Sequence, residues 1–273
     1  MTYQRLCEEL RAGGIEAPEW EATCLLEDLC GISRMVIVTD PDRDYPSSAL
    51  QTALDRRLAH EPLQYILGRW QFWRQTYRVG RDCLIPRADT EVLVEEALRR
   101  LPQGAYFADL CTGSGCIAIS VLAERPDTRA LAVDLSEGAL RIAAENATDN
   151  GVADRLTLQK VDLLTASPDL LGQFDAILSN PPYIRSEVIE TLSEEVKREP
   201  HMALDGGADG LVFYRALLRL AATCLRPQGF CLFEIGYDQG DALRALAAEQ
   251  GFCCEIRRDY GGQDRVAVIT RGA

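Results

Sequence analysis

Apolar residues recur at helical spacing through the first quarter of the chain. Leu6, Leu10 and Ile15 are followed by Ala22, Leu25, Leu26 and Leu29, the one-sided stripe of packed helices. Ser47 or Ser48 is placed to cap a further helix through Leu50, Leu54 and Leu58, and Pro41 and Pro46 bracket a turn. The spacing predicts a small helical domain over residues 1–68. The pattern then changes. Trp70, Phe72, Trp73, Tyr77 and Val79 are aromatic or β-branched, and Gly80 and Asp82 follow, which predicts a β-hairpin or extended connector over 69–86.

From residue 87 onward a helix over about 90–101 leads into an alternating pattern. Short apolar runs at 105–111, 130–135, 156–161, 174–179 and 230–235 are separated by helix-like stretches. Such alternation predicts a doubly wound, mostly parallel α/β sheet with helices on both faces. Two final runs, 252–257 and 265–270, flank Asp259-Tyr260-Gly261-Gly262 and read as an antiparallel closing hairpin. The organisation expected is therefore 1–68 helical, 69–86 connector, and 87–273 a Rossmann-like domain.

Composition narrows the chemistry. At 47% hydrophobic over 273 residues, the chain can bury a sizeable core. No run approaches the roughly 18–20 apolar residues that span a bilayer, and residues 1–10 hold no apolar stretch of the secretory kind, so the expected location is the cytoplasm, with no membrane partner. The ten cysteines form no C-x-x-C and there are two histidines, so no metal site is expected. The net charge of −13 disfavours a broad grip on a phosphate backbone and favours a protein or small-molecule substrate.

Three strand ends carry candidate binding residues. Asp109, Cys111, Thr112, Gly113, Ser114 and Gly115 form a strand running into a glycine loop and a helix. The two glycines allow tight turning and close approach to a ligand, and the helix start offers free N–H groups. The third glycine of a dinucleotide loop is absent; a plain strand-to-helix turn is the bland alternative. Asp134 ends the next strand, 19 residues after Gly115, where a carboxylate can bind both ribose hydroxyls of an adenosine or simply cap the next helix. Asp162 ends a third strand; it can reach an adenine amino group while Leu163 packs on the ring.

The fourth strand ends in Asn180-Pro181-Pro182-Tyr183. In a doubly wound sheet it neighbours the first strand at the point where strand order reverses, the crevice where ligands bind. The prolines stiffen the loop. The Asn180 side-chain oxygen and the Pro181 carbonyl can accept from a single –NH2, and Tyr183 offers a face for a planar group. An Asn-Pro turn after a strand is the bland alternative.

On these residues the chain resembles the class I S-adenosylmethionine methyltransferases, and among them the release factor glutamine N5-methyltransferases, the PrmC/HemK family. Supporting stretches are Glu61 to Gly68, Phe72-Trp73, Leu84 to Glu91, Glu199-Pro200, Ala203 to Leu211 and Asp259 to Val266. The resemblance implies S-adenosyl-L-methionine as cofactor, bound by Asp109, Cys111, Thr112, Gly113, Ser114, Gly115, Asp134, Asp162, Leu163 and Asn180. It implies catalysis by Asn180, Pro181, Pro182 and Tyr183, and peptide chain release factors, through the glutamine of their Gly-Gly-Gln loop, as substrate. Translation termination is then the setting, and no direct nucleic acid is required. Cys111 departs from the family's usual glycine, and Leu163 from its frequent aromatic. The chain's own Gly261-Gly262-Gln263 reads as coincidence, inside the family's D-Y-x-G-x-D-R segment. Two rivals remain: a nucleic-acid methyltransferase acting on adenine N6 or cytosine N4, and a non-catalytic binding module.

Overall fold

The computed structural model describes residues 1–40, 42–45, 48–167 and 172–272. Pro41, Pro46 and Ser47, predicted to shape the turn and cap, lie outside the described residues. The chain divides into two units.

The first takes in Met1–Arg69 together with Ser193–Arg198, a short segment that falls far along the chain in sequence. It holds α1 (Tyr3–Ala12), α2 (Pro18–Cys30), α3 (Arg34–Thr39), α4 (Ser48–Leu58) and α5 (Leu63–Leu67). Thr2 caps α1 by accepting from Arg5 N, Pro18 opens α2 with its φ already helical, and Gly31 ends it in the left-handed region. Leu6, Leu10, Leu25, Leu26, Leu50 and Leu54 are wholly buried between these helices. Arg57 is buried with them. It bonds both oxygens of Glu21, at 2.6 and 3.1 Å, and also reaches Glu195, which ties the Ser193–Arg198 segment to this core. Removing one partner of such a buried pair typically costs about 3–5 kcal/mol.

The second unit takes in Trp70–Leu192 and Glu199 onward. A hairpin of β1 (Arg69–Phe72) and β2 (Gln75–Arg78) precedes α6 (Glu91–Arg100). Then follow β3 (Tyr106–Leu110), α7 (Cys116–Glu124), β4 (Arg129–Asp134), α8 (Glu137–Asp149), β5 (Leu156–Lys160) and β6 (Phe174–Ser179). The rest is α9 (Ser186–Ile189), α10 (Val212–Cys224), β7 (Leu225–Glu234), α11 (Gly240–Glu249), β8 (Phe252–Arg258) and β9 (Asp264–Arg271). The seven-stranded sheet has the order β5-β4-β3-β6-β7-β9-β8. Strands β3 to β7 pair in parallel; β9 runs antiparallel to both β7 and β8.

Alternation along each strand feeds two cores. Phe107, Ala130, Ala132, Leu232 and Val268 pack with α6 and α7, while Ala108, Leu131, Val133, Phe233 and Ile269 pack with α10 and α11. Strand order reverses between β3, which continues to β4, and β6, which continues to β7. The loops after β3 and β6 therefore share one sheet edge, and the candidate motifs lie on them. No helix among the described residues is long and apolar enough to cross a membrane.

Candidate active site

The loop after β3 is bent by three alternate left-handed positions in five residues: Cys111 at φ 64°, Gly113 at 55° and Gly115 at 81°. Its backbone is fixed from several sides. Thr112 N–H donates to Val133 O at 2.9 Å and Gly113 N–H to Asp134 Oδ2 at 2.8 Å. Ser114 O accepts from Asn146 Nδ2 at 2.9 Å. Gly115 meets the protein closely: a Cβ there would lie 2.8 Å from Ile119 Cδ1 and 3.2 Å from the Ala143 Cβ. The close approach that requires a glycine here is to α7 and α8.

Asp109 also differs from expectation. It is wholly buried and its Oδ2 accepts from Thr112 Oγ1 at 2.6 Å and Ala118 N at 3.1 Å, so it braces the loop against α7. Burial pushes its carboxyl up to about 7, against those two bonds. Its Oδ1 has no partner among the described residues.

A cavity of about 490 Å³ opens above these strand ends, wholly within the second unit and within the size range of small-molecule sites. Cys111, Thr112, Gly113 and Ser114 form one wall; Asp134, then Asp162 and Leu163, form another; Asn180 and Pro182 close a third. Asp134 Oδ1 accepts from Ser136 N at 2.9 Å, so each of its oxygens carries one backbone bond and keeps a lone pair. Burial raises its pKa above the usual value. Asp162 Oδ1 accepts from Leu164 N at 2.9 Å.

Two features of the cavity fit S-adenosylmethionine. Its lining carries four carboxylates, Asp82, Asp134, Asp162 and Asp205, against Arg87 and His201, which suits a ligand of net positive charge and not a pyrophosphate. Leu135, Leu164 and Met202 also line it and are left 45%, 39% and 47% exposed, apolar surface that a flat adenine can cover.

Asn180 donates from Nδ2 to Thr90 Oγ1 at 3.3 Å. Among the described residues no protein donor meets its Oδ1. Pro181 is buried and, with Gly115, Asp109 and Tyr183, does not line the cavity. Tyr183 was expected to present its face to the substrate. Its hydroxyl instead donates to Glu234 Oε1 at 3.3 Å and its carbonyl accepts from Gln239 Nε2 at 3.0 Å, which holds the loop down on the end of β7. On the far side of the cavity Glu199 accepts from Ile85 N at 2.9 Å and pairs with Arg87, joining the 82–87 wall to the Pro200–Asp205 wall.

The chain matches the family models described as PrmC N-terminal domain, over residues 2–68, and Methyltransferase small domain, over 88–217. It is 41% identical over 271 residues to a release factor glutamine methyltransferase of Caulobacter vibrioides, covering 96% of this chain and 92% of that one. To one of Moorella thermoacetica it is 43% identical over 269 residues, covering 96% and 94%. The chain belongs to the release factor glutamine methyltransferase family. A solved methyltransferase of Pyrococcus furiosus shares the fold, at a TM-score of 0.54 and 17% identity, over 72% of this chain and 89% of that one.

Membership in this family agrees with the cavity's cationic preference. Several residues that build the site carried no signal in the sequence reading. Asn146 is a polar residue at zero exposure on α8, bonded to Ser114 O and to the backbone of Arg78. Thr90 opens a helix and looks like a cap, while Glu234 is the lone acid in an apolar strand; a buried acid at a strand end was the available clue.

Proposed function

We infer that this chain transfers the methyl group of S-adenosyl-L-methionine to the side-chain amide nitrogen of the glutamine in the Gly-Gly-Gln loop of peptide chain release factors. Its family and full-length relatives support the reaction. The observation that carries the site assignment is the Asn180 amide: its nitrogen is engaged by Thr90 and its oxygen is left for a substrate donor beside the cavity.

When bound, S-adenosylmethionine supplies a methyl group on positively charged sulfur, ready for in-line displacement. Asp134 holds the ribose, Asp162 and Leu163 the adenine, and the 111–114 wall the remainder. Asn180 Oδ1 and the Pro181 carbonyl accept the two N–H bonds of the substrate amide. The amide nitrogen shares its lone pair with its carbonyl, so holding both N–H bonds turns that pair toward the methyl carbon. Positioning of this kind supplies of order 7–11 kcal/mol at best. Pro181 and Pro182 keep the loop stiff, and Tyr183, anchored on Glu234, fixes its far end. No base is needed in the motif, because an alkylated amide nitrogen loses its proton readily.

Residues 1–68 recognise the release factor in this reading, and the reaction takes place in the cytoplasm, without nucleic acid or membrane. The test is mass spectrometry of a release factor incubated with the protein and isotope-labelled S-adenosylmethionine. The expected result is one labelled methyl on the Gly-Gly-Gln glutamine. Label on adenine or cytosine in RNA or DNA, with none on the release factor, would refute the substrate while sparing N-methyl transfer.

A further inference from the structure

Just past the end of β5 the chain folds into a short turn, and one residue closes it from within. Asp162 O accepts from Thr165 N at 3.3 Å and from Ala166 N at 2.8 Å, and Asp162 Oδ1 accepts from Leu164 N at 2.9 Å. The carbonyls of Leu163 and Leu164 are left over: no backbone N–H meets either among the described residues. Arg219, on α10, meets both. Its Nη2 donates to Leu163 O at 3.3 Å and to Leu164 O at 3.1 Å. Among the described residues no carboxylate pairs with this guanidinium, so its charge is spent on those two carbonyls.

We propose that Arg219 is a positioning residue for the adenine end of the cofactor site, holding in place the turn that presents Asp162 and Leu164 to the cavity. The proposal rests on the role given above to Asp162. Asp162, Leu163 and Leu164 all line the cavity, whereas Arg219 does not, so it acts through the turn and not on the ligand. Leu164 is the joint: its N–H is held by the Asp162 carboxylate and its carbonyl by Arg219. A shift of that peptide moves the carboxylate bonded to it, and with it the acceptor offered to the adenine amino group.

The bonds made by Asp162 tie the turn only to itself, and a turn closed on itself can still swing as a unit. Two other ties reach outward. Val161 N–H donates to Asp134 O at 3.0 Å, which fixes where the turn begins, and the Leu163 side chain is buried in the core that holds Tyr214, Leu217 and Leu218 of α10. Neither reaches Leu164, whose side chain is left 39% exposed at the cavity. Arg219 supplies the missing tie. A guanidinium suits the task because one of its nitrogens carries two hydrogens, enough for two neighbouring carbonyls, and bonds from a charged donor are stronger than neutral ones.

The test uses the full chain and S-adenosylmethionine. Arg219→Met keeps the apolar stem and removes the donors. It is expected to raise the cofactor Kd by calorimetry roughly three- to thirtyfold, less than a buried charged bond would give because the contact is partly exposed. The KM for cofactor should rise in step, with kcat at saturating cofactor and the KM for release factor unchanged, and Arg219→Lys should recover most of the loss. In an Asp162→Ala background, where the joint is already broken, Arg219→Met is expected to cost less than threefold. In the cofactor-free chain, amide hydrogen exchange at Leu164 and Ala166 should quicken in Arg219→Met and return in Arg219→Lys. A wild-type Kd in folded Arg219→Met overturns the proposal, as does an undiminished loss in the Asp162→Ala background. If Asp162→Ala alone leaves the Kd unchanged, the adenine role of Asp162 fails and the proposal falls with it; if Asp162→Ala weakens binding and Arg219→Met does not, only the proposal falls.

Discussion

Replacing Asp134 by alanine is expected to weaken S-adenosylmethionine binding by roughly two to four orders of magnitude. Asp134 Oδ2 accepts Gly113 N–H at 2.8 Å and Oδ1 accepts Ser136 N–H at 2.9 Å, and both oxygens keep a lone pair at the cavity wall. Two ribose hydroxyls donating to them make charge-assisted bonds of about 1.5–3 kcal/mol each. Together these give about 3–6 kcal/mol, or roughly 10²–10⁴ in Kd at 1.4 kcal/mol per decade. Alanine also releases the Gly113 and Ser136 N–H groups, so Asp134→Asn, which keeps the volume and one acceptor, is the control and is expected to fall between. Because burial raises the carboxyl above its ordinary value, affinity should fall as acid protonates it and recover as pH rises through that pKa. Isothermal titration calorimetry, with circular dichroism to confirm folding, measures each. An unchanged Kd in folded Asp134→Ala would remove this carboxylate from ribose binding.

Asn180→Ala is expected to lower kcat by at least tenfold while leaving cofactor Kd nearly unchanged, and Asn180→Asp, which keeps an acceptor, to retain more activity than alanine; equal turnover in Asn180→Ala and wild type would end the proposed mechanism. At Cys111, held at φ 64°, glycine and alanine both remove the thiol, but only glycine relieves the backbone, so Cys111→Gly should be about 1 kcal/mol more stable than Cys111→Ala; urea titrations giving equal values would mean the turn relaxes. Asp109 has a folded pKa of about 7 against an ordinary 3.8. The folded state then binds the extra proton, so this group's contribution to stability is greatest at low pH and lost as pH rises between those values. Denaturation between pH 4 and 7 should show that slope in wild type and a flatter one in Asp109→Asn; identical slopes would show that Asp109 does not titrate in this range.

The parallel sheet, its helices and the closing hairpin were legible because the strands are short runs bounded by turn residues, and the central ones, β3, β4 and β6, are apolar and buried on both faces. The Asn-Pro-Pro-Tyr loop was legible because prolines after a strand are rare and chemically pointed. What supports that loop was not. Thr90 and Glu234 are 144 positions apart in sequence, and nothing in the pattern of either says that the reversal of strand order brings both to Asn180. Ser193–Arg198 was equally hidden: Glu195 meets Arg57 and Arg198 reaches the Ala59 carbonyl, ordinary charges among many.

The three strand-end acids show how such errors arise and how they resolve. Asp109, Asp134 and Asp162 look alike in sequence, each an acid after an apolar run, and a reading by motif gives all three to the cofactor. Strand register separates them. Asp109 precedes Leu110, the last residue of β3, and so shares the face of Phe107, which packs toward α6 and α7. Its carboxylate can only turn under α7, where Thr112 and Ala118 take it up. Asp134 is the last residue of β4, and Asp162 lies two residues past the end of β5, so neither is covered by a helix. In a parallel sheet the open crevice lies beyond the carboxyl ends of the strands. An acid reaches a ligand there only from the final strand residue or beyond, and an acid one residue earlier supports the loop that holds the ligand.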